Sequence, residues 1–394
     1  MANSVLNWLQ TFMVVVSLFP GVVVSLAPLY GEAASHLQDK YLVHLKENNN
    51  VRETIQAMEE MMTKRSRVVW RVHETFEETI GAFVAELDQG ALDAIRANPK
   101  VDFVERDQAV YMYLDASQHA ESNLHTEWGL DRIDQRELPL DGVFDVEGTG
   151  DGVHVYVLDT GLLASHEEFQ GRANIVYDHF NEEGTDCQGH GTHVAGIIAG
   201  KTYGVAKEVF LHGARVLNCE GEGTVSSVLG ALDWVAKHAT HPAVVSMSLG
   251  GDYSLSLTKM IKRTVESGLT VVVAAGNSHA DACSCSPANS EEALTVSASD
   301  IEDRVASFSN VGKCVDLFAP GVNINSAWKN SLTDTKVQSG TSMACPFVSG
   351  AIAVMLGNDP SLTPTEIKER LLVKSSMVMQ STDADTPNNL LYLE

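Results

Sequence analysis

The sequence predicts two folded parts: a small α+β domain, then a larger α/β domain built on a buried, mostly parallel sheet. Three observations carry this expectation. The chain has 394 residues, too many for one ordinary core. Residues 41–110 mix short alternating strands with amphipathic helices. From about Trp128 onward, near-continuous apolar runs alternate with helical patterns, as in a parallel sheet covered on both faces.

In the first part, residues 41–45 alternate like a strand and 51–67 have helical periodicity with interleaved charges. Residues 68–76 and 83–87 read as strands, 92–97 as a short helix ended near Pro99, and 101–104 as a last strand. The order β-α-β-β-α-β is the ferredoxin-like pattern. Residues 113–127 are polar and aperiodic, which suits a linker. In the second part, strands are expected at 153–158, 209–217, 243–249, 271–275, 294–298 and 315–318, with helices at 225–238 and 255–267. Ligand sites in such sheets form at the carboxyl ends of the strands.

Ahead of both parts, residues 1–39 contain no Lys or Arg, and 12–29 are almost wholly apolar apart from the break at Pro20-Gly21. This predicts a secretory signal peptide over residues 1–34, with a small-residue cleavage region at 31–35; an uncleaved anchor is the alternative. No other stretch is long and apolar enough to predict a span. The domain plan is therefore 1–34 signal peptide, 35–112 small domain, 113–127 linker and 128–394 main domain.

With 52 acidic against 27 basic residues, the formal charge of −25 argues against nucleic-acid binding and stable association with anionic membranes. A monomer is expected. Six cysteines, at 187, 219, 283, 285, 314 and 345, become disulfide candidates after a signal peptide, and spacing alone leaves their pairing open.

Chemistry concentrates in four segments. In Val157-Leu158-Asp159-Thr160-Gly161, a carboxylate leaves the end of a buried strand; alone it reads as a turn cap. In Asp186-Cys187-Gln188-Gly189-His190-Gly191-Thr192-His193, two glycines flank His190 ahead of an apolar helix. His190 and His193 could pair on a metal, but no Glu stands between them as in a zinc-peptidase helix. In Ser339-Gly340-Thr341-Ser342-Met343-Ala344-Cys345-Pro346, Ser342 opens a helix, where free N–H groups and the dipole favour negative charge. A serine hydroxyl becomes a nucleophile when an imidazole held by a carboxylate takes its proton. Finally, Asn277 follows the apolar strand in Val273-Ala274-Ala275-Gly276-Asn277 and can donate to an oxyanion beside the Ser342 N–H. The order Asp159, His190, Ser342 differs from that of the α/β-hydrolases and of chymotrypsin.

These four segments resemble the subtilisin-like serine proteases, specifically the proteinase K branch, and so does most of residues 125–394. Trp128-Gly129-Leu130-Asp131-Arg132-Ile133-Asp134-Gln135 is similar to the mature start of aqualysin-type enzymes, and residues 41–110 are similar to that family's inhibitory propeptide. The resemblance implies a subtilisin-like three-layer sandwich and a secreted serine endopeptidase acting on protein and peptide substrates. Its own propeptide would inhibit it within the chain, with self-cleavage near Ala120–Glu121. It assigns Asp159, His190 and Ser342 to catalysis and Asn277 to the oxyanion hole. Gly221, Gly223, Ser248, Leu249 and Gly250 would form the cleft edges, with Ala274 and Gly276 at a primary pocket for apolar or aromatic residues. It implies disulfides Cys187–Cys219 and Cys283–Cys314, each closing a loop worth about 3–4 kcal/mol, while Cys285 and Cys345 stay unassigned. No organic cofactor is implied. Structural Ca²⁺ is implied at Asp316 with the carbonyls of Glu291 and Ala293, and at Asp131, Asp134, Gln135 and Asp141. A binding protein on the same scaffold, a dibasic-specific processing protease and a metal hydrolase are the rival readings.

Overall fold

A computed structural model describes residues 26–31, 37, 39–65, 68–114, 127–380, 383 and 385–394. Most of the expected signal peptide, its cleavage region at 32–35 and the Ala120–Glu121 bond lie outside the described residues.

The first domain comprises β1 (Leu29–Tyr30), β2 (Lys40–Leu45), α1 (Val51–Thr63), β3 (Trp70–Phe76), β4 (Ala82–Leu87), α2 (Gln89–Arg96) and β5 (Val101–Arg106). Asn50 and Asp88 cap its two helices through side-chain oxygens, as short polar residues do at helix starts. The sheet order β1-β5-β2-β4-β3 is the ferredoxin-like arrangement with one strand added. That addition is β1, which pairs parallel with β5, and Ala27 before it is buried. The end of the apolar N-terminal run is thus built into this domain, ahead of the cleavage region read from the sequence.

After β6 (Ala109–Met112) the main domain runs α3 (Trp128–Ile133), β7 (His154–Asp159), β8 (Ala173–Asp178), α4 (His190–Ala199), β9 (Phe210–Arg215), β10 (Glu222–Thr224) and α5 (Val225–His238). It continues β11 (Ala243–Met247), β12 (Leu249–Asp252), α6 (Leu255–Glu266), β13 (Thr270–Ala274), β14 (Cys285–Ser286), β15 (Leu294–Ser299) and β16 (Leu317–Pro320). It ends β17 (Ile324–Ala327), β18 (Thr335–Gln338), α7 (Thr341–Asn358), α8 (Pro364–Lys374), β19 (Ser376–Met377) and β20 (Asn389–Leu390). The central sheet has the order β19-β20-β16-β15-β13-β11-β7-β9-β8 and is parallel from β16 through β8. One core cluster joins this sheet to α4 and α7, and a second joins its other face to α5 and α6. Among the described residues α7 alone is long and apolar enough to cross a membrane, and it is 83% buried here as a core helix.

The second core cluster also takes in Leu42, Phe76, Ala82 and Val84 of the first domain, so the two domains share apolar packing over α5 and α6. Two carboxylates reinforce it. Asp107 accepts from the N–H and Oγ of Ser226 at 3.0 and 2.6 Å, and Glu105 accepts from the N–H and Oγ of Ser256 at 2.8 and 2.6 Å. Each meets the first turn of a helix, where free N–H groups and the positive dipole end favour an anion.

Candidate active site

β7 ends in Asp159, whose Oδ1 accepts from Thr160 N and from His190 Nδ1, both at 2.7 Å. His190 opens α4 behind Gly189, which has φ of 112°, a conformation glycine adopts without strain. Asp186 fixes this turn: it accepts from Gly189 N at 2.6 Å, Thr192 N at 2.9 Å, Thr192 Oγ1 at 2.6 Å and Thr160 Oγ1 at 2.9 Å. Burial pushes the Asp186 carboxyl up and those hydrogen bonds pull it back. Asp186 stands three residues ahead of the Gly189 N-cap, too far back for a local helix-start signal to mark it.

Ser342 stands in the first turn of α7 and is fully buried. Its Oγ donates to the Ser248 carbonyl at 3.0 Å and accepts from Tyr113 N at 3.1 Å. In this rotamer the Ser342–His190 hydrogen bond is not made, and among the described residues His190 Nε2 is a buried nitrogen without a partner. Asn277 Oδ1 accepts from both the N–H and Oγ1 of Thr341 at 2.9 Å. That pair fixes the amide so that Nδ2 is the unpartnered end. A Cβ added at Gly340 would lie 3.1 Å from Asn277 Nδ2 and would collide with the Tyr113 carbonyl oxygen, so the serine helix, the amide and this carbonyl converge.

What fills the cleft is the chain itself. β6 lies between β10 and β12, antiparallel to both. Val110 faces Gly223 on one side and Gly251 on the other; Tyr111 faces Glu222 and Gly250; Met112 faces Leu249 and donates its N–H to the Gly221 carbonyl at 3.1 Å. Side chains alternate as a strand requires: Val110 is 1% exposed and Tyr111 44%. The Tyr113 ring lies over Gly250, where any Cβ would collide with its hydroxyl, and its Cζ would be 3.6 Å from a Cβ at Gly276. Ala274 closes β13 within the core. The cleft edges expected at Gly221, Gly223, Ser248, Leu249 and Gly250 are therefore brought together around residues 109–113.

Cys187–Cys219 and Cys283–Cys314 are bonded, and Cys285 and Cys345 are free. Burial pushes the Cys345 thiol up to about 11, which keeps it unreactive, and Phe347 packs against Gly129. His193 Nε2 donates to the Lys336 carbonyl at 2.8 Å and not to His190, and burial holds it down to about 3.

The first calcium site expected from the resemblance does not fit a divalent ion, because a cation of the chain already occupies it. Lys368 Nζ reaches the carbonyls of Glu291 and Ala293 at 3.1 and 2.9 Å and the two Asp316 carboxylate oxygens at 2.9 and 3.0 Å. An ammonium from α8 already satisfies that ligand set, so a divalent ion there would meet a like charge. In the other group, Asp131 caps Asp141 N and Gly142 N at 3.3 and 2.9 Å, and Gln135 Oε1 also accepts from Asp141 N at 3.3 Å. Burial raises Asp134, helped by repulsion from Asp131 and Asp141. This loop gathers hard oxygen donors, and among the described residues no three of its carboxylates converge on one point.

A serine at a helix start, beside a buried Asp–His pair and met by a peptide strand of the same chain, is an arrangement that suits a serine peptidase bound by part of its own chain. Residues 150–391 match the model of the subtilase family, and residues 40–113 match that of peptidase inhibitor I9. The chain belongs to the subtilase family and is a serine endopeptidase carrying an I9 propeptide. It is 43% identical over 385 residues to an extracellular serine proteinase of Thermus sp. strain Rt41A, covering 93% of this chain and 92% of that protein. It is also 43% identical over 325 residues to alkaline serine exoprotease A of Vibrio alginolyticus, covering 82% of this chain and 60% of that protein. Among solved structures, a cold-adapted subtilisin-like serine proteinase superimposes with TM-score 0.66 at 47% identity, covering 68% of this chain and 98% of that one.

Proposed function

We propose that this endopeptidase first cuts its own Tyr113–Leu114 bond, with Ser342 as nucleophile, His190 as general base, Asp159 as the group that orients it, and Asn277 as oxyanion donor. The observation that carries the reading is the bound strand, with the Tyr113 carbonyl beside Asn277 Nδ2 and its N–H on Ser342 Oγ. Rotation of the Ser342 hydroxyl away from Ser248 would give its proton to the unpartnered His190 Nε2 as Oγ attacks the Tyr113 carbonyl carbon. The oxyanion is held by Asn277 Nδ2 and the Ser342 N–H. His190 then returns the proton to the Leu114 nitrogen, the C–N bond breaks, and water hydrolyses the acyl-enzyme by the same route.

The bound strand also supports the expected specificity. An aromatic side chain fills the primary pocket, a buried Val110 fills a second, and main-chain ladders on both sides are indifferent to sequence. A final N-terminus near Ala120–Glu121 would require a second, later cut. The extracellular Thermus relative and the apolar N-terminal run support secretion. Because Leu29 and Tyr30 pair in the propeptide sheet and Ala27 is buried in its core, signal removal upstream of Ala27 fits better than removal at 31–35. The Asp131–Asp141 loop is the better candidate for Ca²⁺.

The test is N-terminal sequencing of the first processing product, with Ser342→Ala as control. A fragment starting at Leu114, formed by the unaltered chain and absent from Ser342→Ala, supports the reading. A first cut elsewhere refutes the assignment of the bond. Asn277→Ala should slow that cut about 10²–10³-fold, a magnitude known from a subtilisin.

A further inference from the structure

β14 adds to the free side of β12, pairing Gly251 with Ser286 and Asp252 with Cys285. This carries a free cysteine to the edge of the pocket that holds Tyr113. Cys285, Tyr113, Gly250, Ser284 and Asn310 line one cavity. The Tyr113 ring passes between Gly250 and Gly276, and Asn310 Nδ2 donates to Cys285 Sγ at 3.7 Å while also holding the Ala275 carbonyl at 2.9 Å. The thiol donates weakly to Ala282 O at 3.4 Å and Ala275 O at 3.6 Å. The phenol of Tyr113 and the thiol of Cys285 lie near enough to act on each other's titration, and burial raises both groups.

We propose that Cys285 forms the floor of the primary specificity pocket and reads the hydroxyl of a tyrosine before the scissile bond. This rests on the reading of Tyr113 as the residue ahead of the cut. A pocket with small residues on its walls accepts any flat aromatic ring; what distinguishes tyrosine from phenylalanine is a polar partner at the far end. A soft thiol held by Asn310 supplies one, and its small size leaves room for the hydroxyl. Phenylalanine leaves the thiol facing an empty space and forfeits that contact. Because a neutral hydrogen bond of this kind is modest, the expected preference for tyrosine over phenylalanine is about three- to ten-fold in kcat/KM.

The experiment uses the processed enzyme and peptides that differ only in Tyr, Phe or Ala before the scissile bond. Cys285→Ala should bring the Tyr/Phe ratio to about one, with cleavage after Tyr falling further than cleavage after Phe. Cys285→Ser should keep a tyrosine preference, and Cys285→Leu should lower both aromatic substrates relative to Ala by filling the floor. A small methanethiosulfonate should block aromatic cleavage in the unaltered enzyme but not in Cys285→Ala; buried Cys345 does not respond. Fluorophosphonate labelling is measured on every variant. Intact labelling with an unchanged Tyr/Phe ratio in Cys285→Ala overturns the role of Cys285 alone. Absent labelling in the unaltered enzyme overturns the assignment of Ser342, and the proposal with it.

Discussion

Removing the Lys368 ammonium tests whether an internal cation has taken the place of a metal ion. Lys368→Met keeps the aliphatic stem and deletes the charge, leaving Asp316 with two carbonyls and no counter-ion. Breaking a fully buried pair costs about 3–5 kcal/mol and an exposed one about 0–1. Here the side chains of Lys368 and Asp316 are 27% and 18% exposed, and burial already lifts the Asp316 carboxyl against the pull of Lys368. An intermediate loss of about 2 kcal/mol follows, or roughly 4–8 °C in Tm for a domain of this size. Calcium should restore part of it, since the vacated oxygens suit a hard cation; free Ca²⁺ at about 10 times Kd returns about 1.4 kcal/mol. The assay is a thermal scan with EDTA or Ca²⁺, in a Ser342→Ala background that cannot digest itself. Comparison with unaltered Lys368 subtracts any contribution of the Asp131–Asp141 loop. Equal Tm values in EDTA, or equal gains from Ca²⁺ with and without Lys368, would refute the substitution of ammonium for metal.

Two other predictions concern the propeptide interface. Asp107→Ala removes the anion from the start of α5, where it also pairs with Lys40 at 3.2 Å. At about 1–2 kcal/mol per cap, propeptide release should quicken roughly 5–30-fold, read as a shorter lag before peptidase activity; an unchanged lag would sink the capping argument. His44 is bonded to Ser256 Oγ at 2.8 Å, stacked on Phe103 at 4.1 Å, and faces Lys259 and, through Ser256, Glu105. Burial lowers it from 6.5 to about 3. Release returns it to its ordinary value, so below pH 6.5 the free propeptide takes up the proton and the complex weakens, by about 2 kcal/mol at pH 5. Glu105, raised by burial, shifts oppositely, being protonated more readily in the complex, and offsets part of this. His44→Gln should flatten the acid acceleration of release between pH 7 and 5; an unaltered pH profile would exclude His44.

Much of the fold was legible because its signals are local. Apolar runs and capped helices are written in consecutive residues, and α5 falls on the stretch expected for it. The candidate constellation could be assembled from sequence because Asp159, His190, Asn277 and Ser342 each sit in a distinctive short context at a strand or helix end. Strands β10 and β12 are too short for periodicity to reveal and came only through the resemblance. β1 was hidden inside an apolar run that reads equally well as signal peptide. Tyr113 could not be located because its register is set by ladders to strands more than a hundred residues away. Lys368 lies on α8, whose start was announced by Thr363 and Glu366, yet nothing local says that its ammonium reaches Asp316. The resemblance supplied the oxygens and not the charge between them.

Two ladders holding residues 109–112 also set how activity depends on concentration. While the chain is intact, the strand is tethered beside the cleft at an effective concentration on the order of millimolar, so an outside peptide at micromolar levels cannot compete for the edges. The proposed cut after Tyr113 would change none of those contacts, but it would turn an internal equilibrium into a bimolecular one. From then on the inhibited state has a concentration scale. A crowded producing cell would hold the two pieces together, and simple dilution would pull them apart.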